Sequence, residues 1–117
     1  MSRSIRERLA DARAFSEHGE NCALGLDAEL FGEITENKFA VYYCLIGIGE
    51  ALKEIPRAVL DTEPTIPWNA IIGMRNRLVH AYWRIDDEIV HRVARLELPA
   101  LAIALERIIK RLDQSQP

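Results

Sequence analysis

A chain of 117 residues has room for one hydrophobic core and not for two, and 49% hydrophobic with 28% charged residues is the balance of a globular domain. A net charge of −3 excludes an all-over basic nucleic-acid binder, although residues 64–117 by themselves carry eight basic against six acidic side chains. The longest apolar run, about Phe39 to Ile48, falls short of the ~20 residues a membrane span needs, and the first residues lack the apolar core of a signal peptide.

Cys22 and Cys44 are far apart with no pairing motif, a usage that suits a reducing cytoplasm, and both read as buried or partly buried thiols. The whole chain, 1–117, is expected to form a single domain with a frayed tail from about residue 114.

Ile5, Leu9, Ala12 and Phe15 recur at helical spacing, so a first helix is expected over about 3–18, with Ser2 or Ser4 as its cap. Glu17 to Cys22 is polar, contains Gly19 and reads as a loop or frayed connection. A short helix follows near 26–32. From Phe39 through Val59 apolar residues cover more than half the circumference of a helix, the pattern of a rod that faces both a core and a partner. Pro56 should kink or break it. Residues 61–67, with Pro64 and Pro67, form the clearest loop, and Pro67 leads into a helix from Trp68 to Val79. Tyr82-Trp83-Arg84 reads as a bend, Asp86 as the cap of a short helix, and Pro99 as the opening of a last helix with Leu101, Ala102, Leu105, Ile108, Ile109 and Leu112 on one stripe. There is no strand alternation, repeat or linker. The expected fold is all-α, a small antiparallel bundle of four to five helices.

Arg75-Asn76-Arg77-Leu78-Val79-His80-Ala81-Tyr82 concentrates the chemistry. Arginine holds phosphate, histidine exchanges protons near neutral pH, and a tyrosine hydroxyl can position or accept a nucleotide. No Gly-rich phosphate loop, zinc-ligand cluster or nucleophile elbow stands elsewhere. On a straight helix Arg75 and Tyr82 return to about the same side. Asn76 faces His80 and could fix its tautomer, while Arg75 and His80 point about 140° apart. They converge only if the helix unwinds near Val79 or if a second subunit supplies one of them. The geometry preferred here is a two-fold dimer with both motifs around one cleft.

These residues resemble the HEPN superfamily, whose signature is Arg, a polar residue, three variable positions and His. Ala81 and Tyr82 extend it in the manner of the HepT branch, as do Gly49-Glu50-Ala51 on the long helix and Pro64-Thr65-Ile66-Pro67-Trp68 before the motif. The resemblance covers about residues 5–112. It implies a metal-independent endoribonuclease toxin with no cofactor. Its partners would be an RNA substrate, a second copy of the chain, and a nucleotidyltransferase antitoxin that transfers AMP to Tyr82. It assigns catalysis to Arg75 and His80, with Asn76, Tyr82 and Glu50 in support. Arg75 would hold the scissile phosphate, His80 would act as base or acid, and Asn76 would orient His80.

Plainer roles compete. His80 could cap helix carbonyls, Arg75 could be an ion-pair partner of Glu50, and Tyr82 and Trp83 could be packing aromatics, Trp83 above all. Arg77 reads as a surface arginine, His18 and His91 as solvated, and Trp68 as a lock for its helix start. Two other functional classes fit the same residues: a non-catalytic helical module that docks a nucleotidyltransferase or binds nucleotide, and a purely structural oligomerisation domain.

Overall fold

A computed structural model describes residues 3–115, whose regular elements are all helical, without a β-strand among them. Helices α1 (Ile5–Ala23), α2 (Ala28–Glu33), α3 (Thr35–Leu52), α4 (Arg57–Leu60) and α5 (Trp68–His80) are followed by a 3₁₀ turn (Tyr82–Arg84). Then come α6 (Asp87–Arg92), a π turn (Val93–Glu97) and α7 (Leu98–Gln114). Four long rods make the bundle: α1, α3, α5 and the run from α6 through α7. This is the expected all-α architecture. Helix α1 lies against α3 and α7, and α5 leans chiefly on α3. One continuous core unites Leu9 of α1, Val41, Leu45 and Ile48 of α3, Trp68 and Ile71 of α5, and Leu101, Leu105 and Ile108 of α7.

Helix α1 starts where Ser4 forms a capping box: its Oγ accepts from Glu7 N at 3.1 Å, and Glu7 Oε1 accepts from Ser4 N at 3.0 Å. Ser2, the other cap considered, lies outside the described residues, as do Gln116 and Pro117 of the tail; Gln114 still closes α7. The expected loop at Glu17–Cys22 does not exist, because α1 runs on to Ala23. The buried stripe Leu9, Ala12, Ser16, Gly19, Ala23 keeps helical spacing, but its later members are small and two are not apolar. A Cβ at Gly19 would come within 2.6 Å of a Leu98 methyl and 3.4 Å of Cys44 Cβ, so this glycine marks a close approach to α7 and α3. Ser16 sends its hydroxyl to the Ala12 carbonyl at 2.7 Å and so enters the core satisfied.

Pro56 ends the long apolar pattern as expected: α3 stops at Leu52 and Pro56 caps the short α4. At the other proline the outcome differs. Helices α6 and α7 are not separate, because the backbone stays helical through Val93–Glu97 and the Leu98 N–H reaches the Val93 carbonyl five residues back. Pro99 has no N–H for the ordinary ladder and its ring crowds the carbonyl four residues earlier; a widened π turn just before it relieves both. Asp86 caps α6 through Glu88 N at 2.9 Å, and Asp87 ties α6 to α3 by accepting from Tyr42 Oη at 2.7 Å and Lys38 Nζ at 3.3 Å.

Cys44 is buried and Cys22 half-buried, both as free thiols, and burial pushes the Cys44 thiol up to about 11. His91, expected to be solvated, is half-buried: its Nε2 lies 2.6 Å from the Leu26 carbonyl and its ring 5.5 Å from Phe31. His18 is exposed.

The loop before α5 is held by a carboxylate that hydropathy reads as solvated. Glu63 is only 7% exposed, and its oxygens accept from Arg107 at 2.6 Å and Arg111 at 2.8 Å, both on α7. Its backbone carbonyl accepts from Trp68 Nε1 at 3.1 Å, so one residue ties the start of α5 to both the core and α7. The Arg107 hydrogen bond, with Arg111 behind it, holds the Glu63 carboxyl below the usual carboxylate range. A depressed folded-state value means stability present above the unfolded-state pKa and lost as pH falls through the folded one. Glu63→Gln should cost roughly 1–3 kcal/mol at neutral pH, less than a fully enclosed pair because both arginines reach solvent. Urea denaturation of both proteins at pH 7 and pH 3 should show that difference shrinking in acid; a pH-independent difference would refute the role given to the charge.

Candidate active site on the motif helix

Helix α5 owes its position to a single glycine on α3. A Cβ on Gly49 would stand 2.5 Å from Arg75 Cβ, 3.2 Å from its Cγ and 3.2 Å from the Ile72 carbonyl oxygen. Only a residue without a side chain lets the two backbones lie this close. The next residue, Glu50, then reaches Arg75: Oε1 and Nε are 2.7 Å apart, off-line for a hydrogen bond and so an ion pair. Lys53 adds a second cation 3.2 Å from Glu50 Oε2. Hydrogen bonding to Lys53, then the charges of Lys53 and Arg75, hold the Glu50 carboxyl below its ordinary range, which keeps it an anion rather than a proton carrier.

Arg75 is half-buried, and its Nη1 donates to Asn76 Oδ1 at 2.9 Å. The expected contact of Asn76 with His80 is therefore not made: the carboxamide oxygen turns to the arginine. The reason is reach, since a long guanidinium can fold back along the helix to its neighbour while the short imidazole stays one turn ahead. Glu50 and Asn76 together fix the plane of the guanidinium and leave N–H groups on Nη1 and Nη2 pointing elsewhere.

His80 is exposed in the last turn of α5, where a cation is favoured by the helix dipole. The helix does not unwind at Val79; it stays regular through His80. Arg75 and His80 in one chain thus keep their separation of about 140° around the axis and do not converge. The break comes one residue later, where Ala81 leaves the helical region with φ −147° and ψ 42°. Tyr82 consequently departs from the straight-helix position on the same side as Arg75 and sits on the 3₁₀ turn, 64% exposed. Trp83, expected to pack, is 68% exposed and meets only the edge of Tyr82, with ring centroids 5.5 Å apart. Arg77 is exposed, as expected, and Trp68 is buried at the helix start.

A structural face joins these groups. Phe39, Tyr43, Ile46 and Glu50 follow one another at helical spacing on α3, with Phe39 and Tyr43 exposed; Ile72, Arg75 and Val79 do the same on α5, with Val79 exposed. Among the described residues no group of three or more His, Cys, Asp or Glu is placed to hold a metal ion. No helix there is long and apolar enough to cross a membrane.

With this geometry in view, comparison with known proteins is informative. The family model for HepT-like ribonucleases matches residues 5–108. The chain belongs to the HepT-like family. A candidate RNase of Methanocaldococcus jannaschii is 35% identical over 96% of this chain and 97% of its own length. A second from the same organism is 33% identical over 95% and 92%. A protein of Thermococcus cleftensis named as a probable ribonuclease HepT is 32% identical over 94% of this chain and 100% of its own. No solved structure matches at a significant level.

Gly49 is the functional position that residue chemistry overlooked: it was legible as part of the family's Gly-Glu-Ala but carries no reactive group. Gly49→Ala should overpack the α3–α5 contact and destabilise the fold by about 1–3 kcal/mol. Thermal denaturation of the variant checks this, and an unchanged midpoint would show that α5 can back away at no cost.

Proposed function

We propose that this HepT-like chain is a metal-independent endoribonuclease that acts as a homodimer, the toxin of a toxin–antitoxin pair. The observation that carries the reading is the division of the motif: α5 presents a fixed arginine on one flank and a free histidine on the other. Two copies related by a two-fold axis can bring the arginine of one to the histidine of the other. The exposed apolar stripe that ends at Glu50 on α3, with Val79 on α5, supports association through this face.

The chemistry follows from the groups. Arg75 offers Nη1 and Nη2 to the non-bridging oxygens of the scissile phosphate and stabilises the charge that grows there. His80 takes the proton of the ribose 2′-hydroxyl, whose oxygen attacks phosphorus. The bond to the 5′-oxygen breaks, and that oxygen leaves with a proton from water. Glu50 and Asn76 hold the arginine in plane. Tyr82 is exposed beside this centre and available to an antitoxin. Its phenolic oxygen bonds to the AMP phosphorus of ATP, pyrophosphate departs, and the phenol proton goes to solvent. The resulting phosphodiester places bulk and negative charge where substrate phosphate would lie, which switches the site off.

The test compares the wild type with His80→Ala, expressed alone, for cleavage of total RNA in EDTA. The wild type should cut, and His80→Ala should keep its helicity and oligomeric state but lose about 10²–10⁴ of the rate. Cleavage abolished by EDTA would refute metal independence. A histidine variant that cuts as well as the wild type would remove His80 from the mechanism.

A further inference from the structure

The arginines of this chain fall into two groups. Arg3, Arg6, Arg13, Arg57, Arg75, Arg107 and Arg111 each face a carboxylate. Arg8 donates to the Arg3 carbonyl. Arg77, Arg84, Arg92 and Arg95 have no carboxylate partner among the described residues, although the protein as a whole is acidic. Unpaired cations gathered on one side of an acidic protein mark a place where an anion is meant to come.

Three of the four share a groove. A cleft of about 280 Å³ between α5 and α6 is lined by Arg77 and Arg84 over a floor of Met74, Ile85 and Ile89. A second cleft of about 130 Å³ adjoins it, sharing Met74, Arg77 and Ile89, and adds Arg92. All three arginines are exposed. Two carboxylates also line the groove: Asp86, which is occupied in capping α6, and Glu97 at the far end. Ala81, directly after His80, lines the groove, and the exposed Tyr82 and Trp83 stand between it and Arg84 on the 3₁₀ turn. Spaced cations beside apolar side chains, with a bare aromatic next to one of them, suit a single strand whose phosphates meet arginine and whose bases stack.

We propose that this groove, with Arg77, Arg84 and Arg92 along it and Trp83 next to Arg84, is the track that holds single-stranded RNA flanking the scissile bond. It rests on the ribonuclease reading and extends it with a substrate class. The free arginines let an acidic protein hold a polyanion locally.

The test uses a fluorescein-labelled oligouridylate of about twelve nucleotides, long enough to fill such a track, bound to His80→Ala protein so that it stays intact. Binding is measured at a series of salt concentrations for this parent, for a version with Arg77, Arg84 and Arg92 all changed to Gln, and for one with Trp83→Ala. A charge-matched control changes Arg6, Arg57 and Lys110 to Gln, which lie outside the groove. Each lost phosphate contact lowers the slope of log affinity against log salt by about 0.7, so the triple variant should lose about two, and the control much less. Trp83→Ala should weaken binding roughly five- to a hundredfold through lost stacking. Circular dichroism verifies that all remain folded.

A triple variant that binds with the parent's affinity and slope overturns the proposal. If that variant instead loses co-purification with a nucleotidyltransferase, the groove belongs to a protein partner. Equal losses in variant and control overturn it as well, since they show only bulk charge. Wild-type cleavage of the same oligonucleotide separates the two levels. Cutting together with arginine-independent binding leaves the ribonuclease reading standing without the groove. Arginine-dependent binding without cutting leaves the groove standing without the ribonuclease.

Discussion

Everything at the motif depends on how closely α5 can lie against α3. The contact is made at Gly49, where a single added carbon would collide with the Arg75 side chain and the Ile72 carbonyl. Because the backbones meet there, Glu50 falls within 2.7 Å of Arg75 Nε, and the arginine becomes a fixed part of the bundle. Removing the glycine's freedom would push α5 outward and turn Arg75 into an ordinary surface charge. His80 and Tyr82 lie exposed where the helix stops, past Leu78, its last buried residue. The loop tie through Glu63 and Trp68 holds the opposite end. One helix thus carries a fixed cation at its middle and exposed polar groups at its end, the combination a site assembled from two copies would need.

The electrostatics follow the same division. Seven of the arginines are taken up by carboxylates, as in Arg6–Asp113 and Arg111–Glu63. The surplus positive charge is left between α5 and α6. An acidic chain can therefore present a basic strip without being basic overall, and the strip overlaps the motif at Arg77.

Much of this was legible in the sequence. The apolar periodicities of α3 and α7, the prolines at 56 and 67 and the caps at Ser4 and Asp86 predict elements that the structure contains, because each is a local effect of side chain on backbone. The motif itself could be read because its residue types are chemically loaded. The misreadings have two causes. Gly19 looks like a helix end in hydropathy, yet it is where α1 touches α3 and α7, and small size matters only once the neighbour is known. Pro99 looks like a boundary, but a π turn lets the helix pass it. Glu63 looks solvated, yet it is buried because two arginines about 45 residues later in the chain reach it. Asn76 was paired with His80 from helix geometry, and a longer competitor, Arg75, took its oxygen. Gly19 and Glu63 turn on tertiary contacts that no window of sequence contains, whereas Pro99 and Asn76 turn on local geometry that residue type leaves open.

The central claim is that one chain holds two half-sites and that RNA is cut between copies. Mixing an Arg75→Ala protein with a His80→Ala protein, unfolding and refolding them together, tests it directly. Every mixed dimer would have one cleft with an intact arginine from one copy and an intact histidine from the other. Each variant alone should leave RNA uncut, and the refolded mixture should recover about a quarter of wild-type cleavage, since about half of the dimers are mixed and each has one working cleft. A mixture as inactive as its parents, in the presence of demonstrated mixed dimers, would contradict the account.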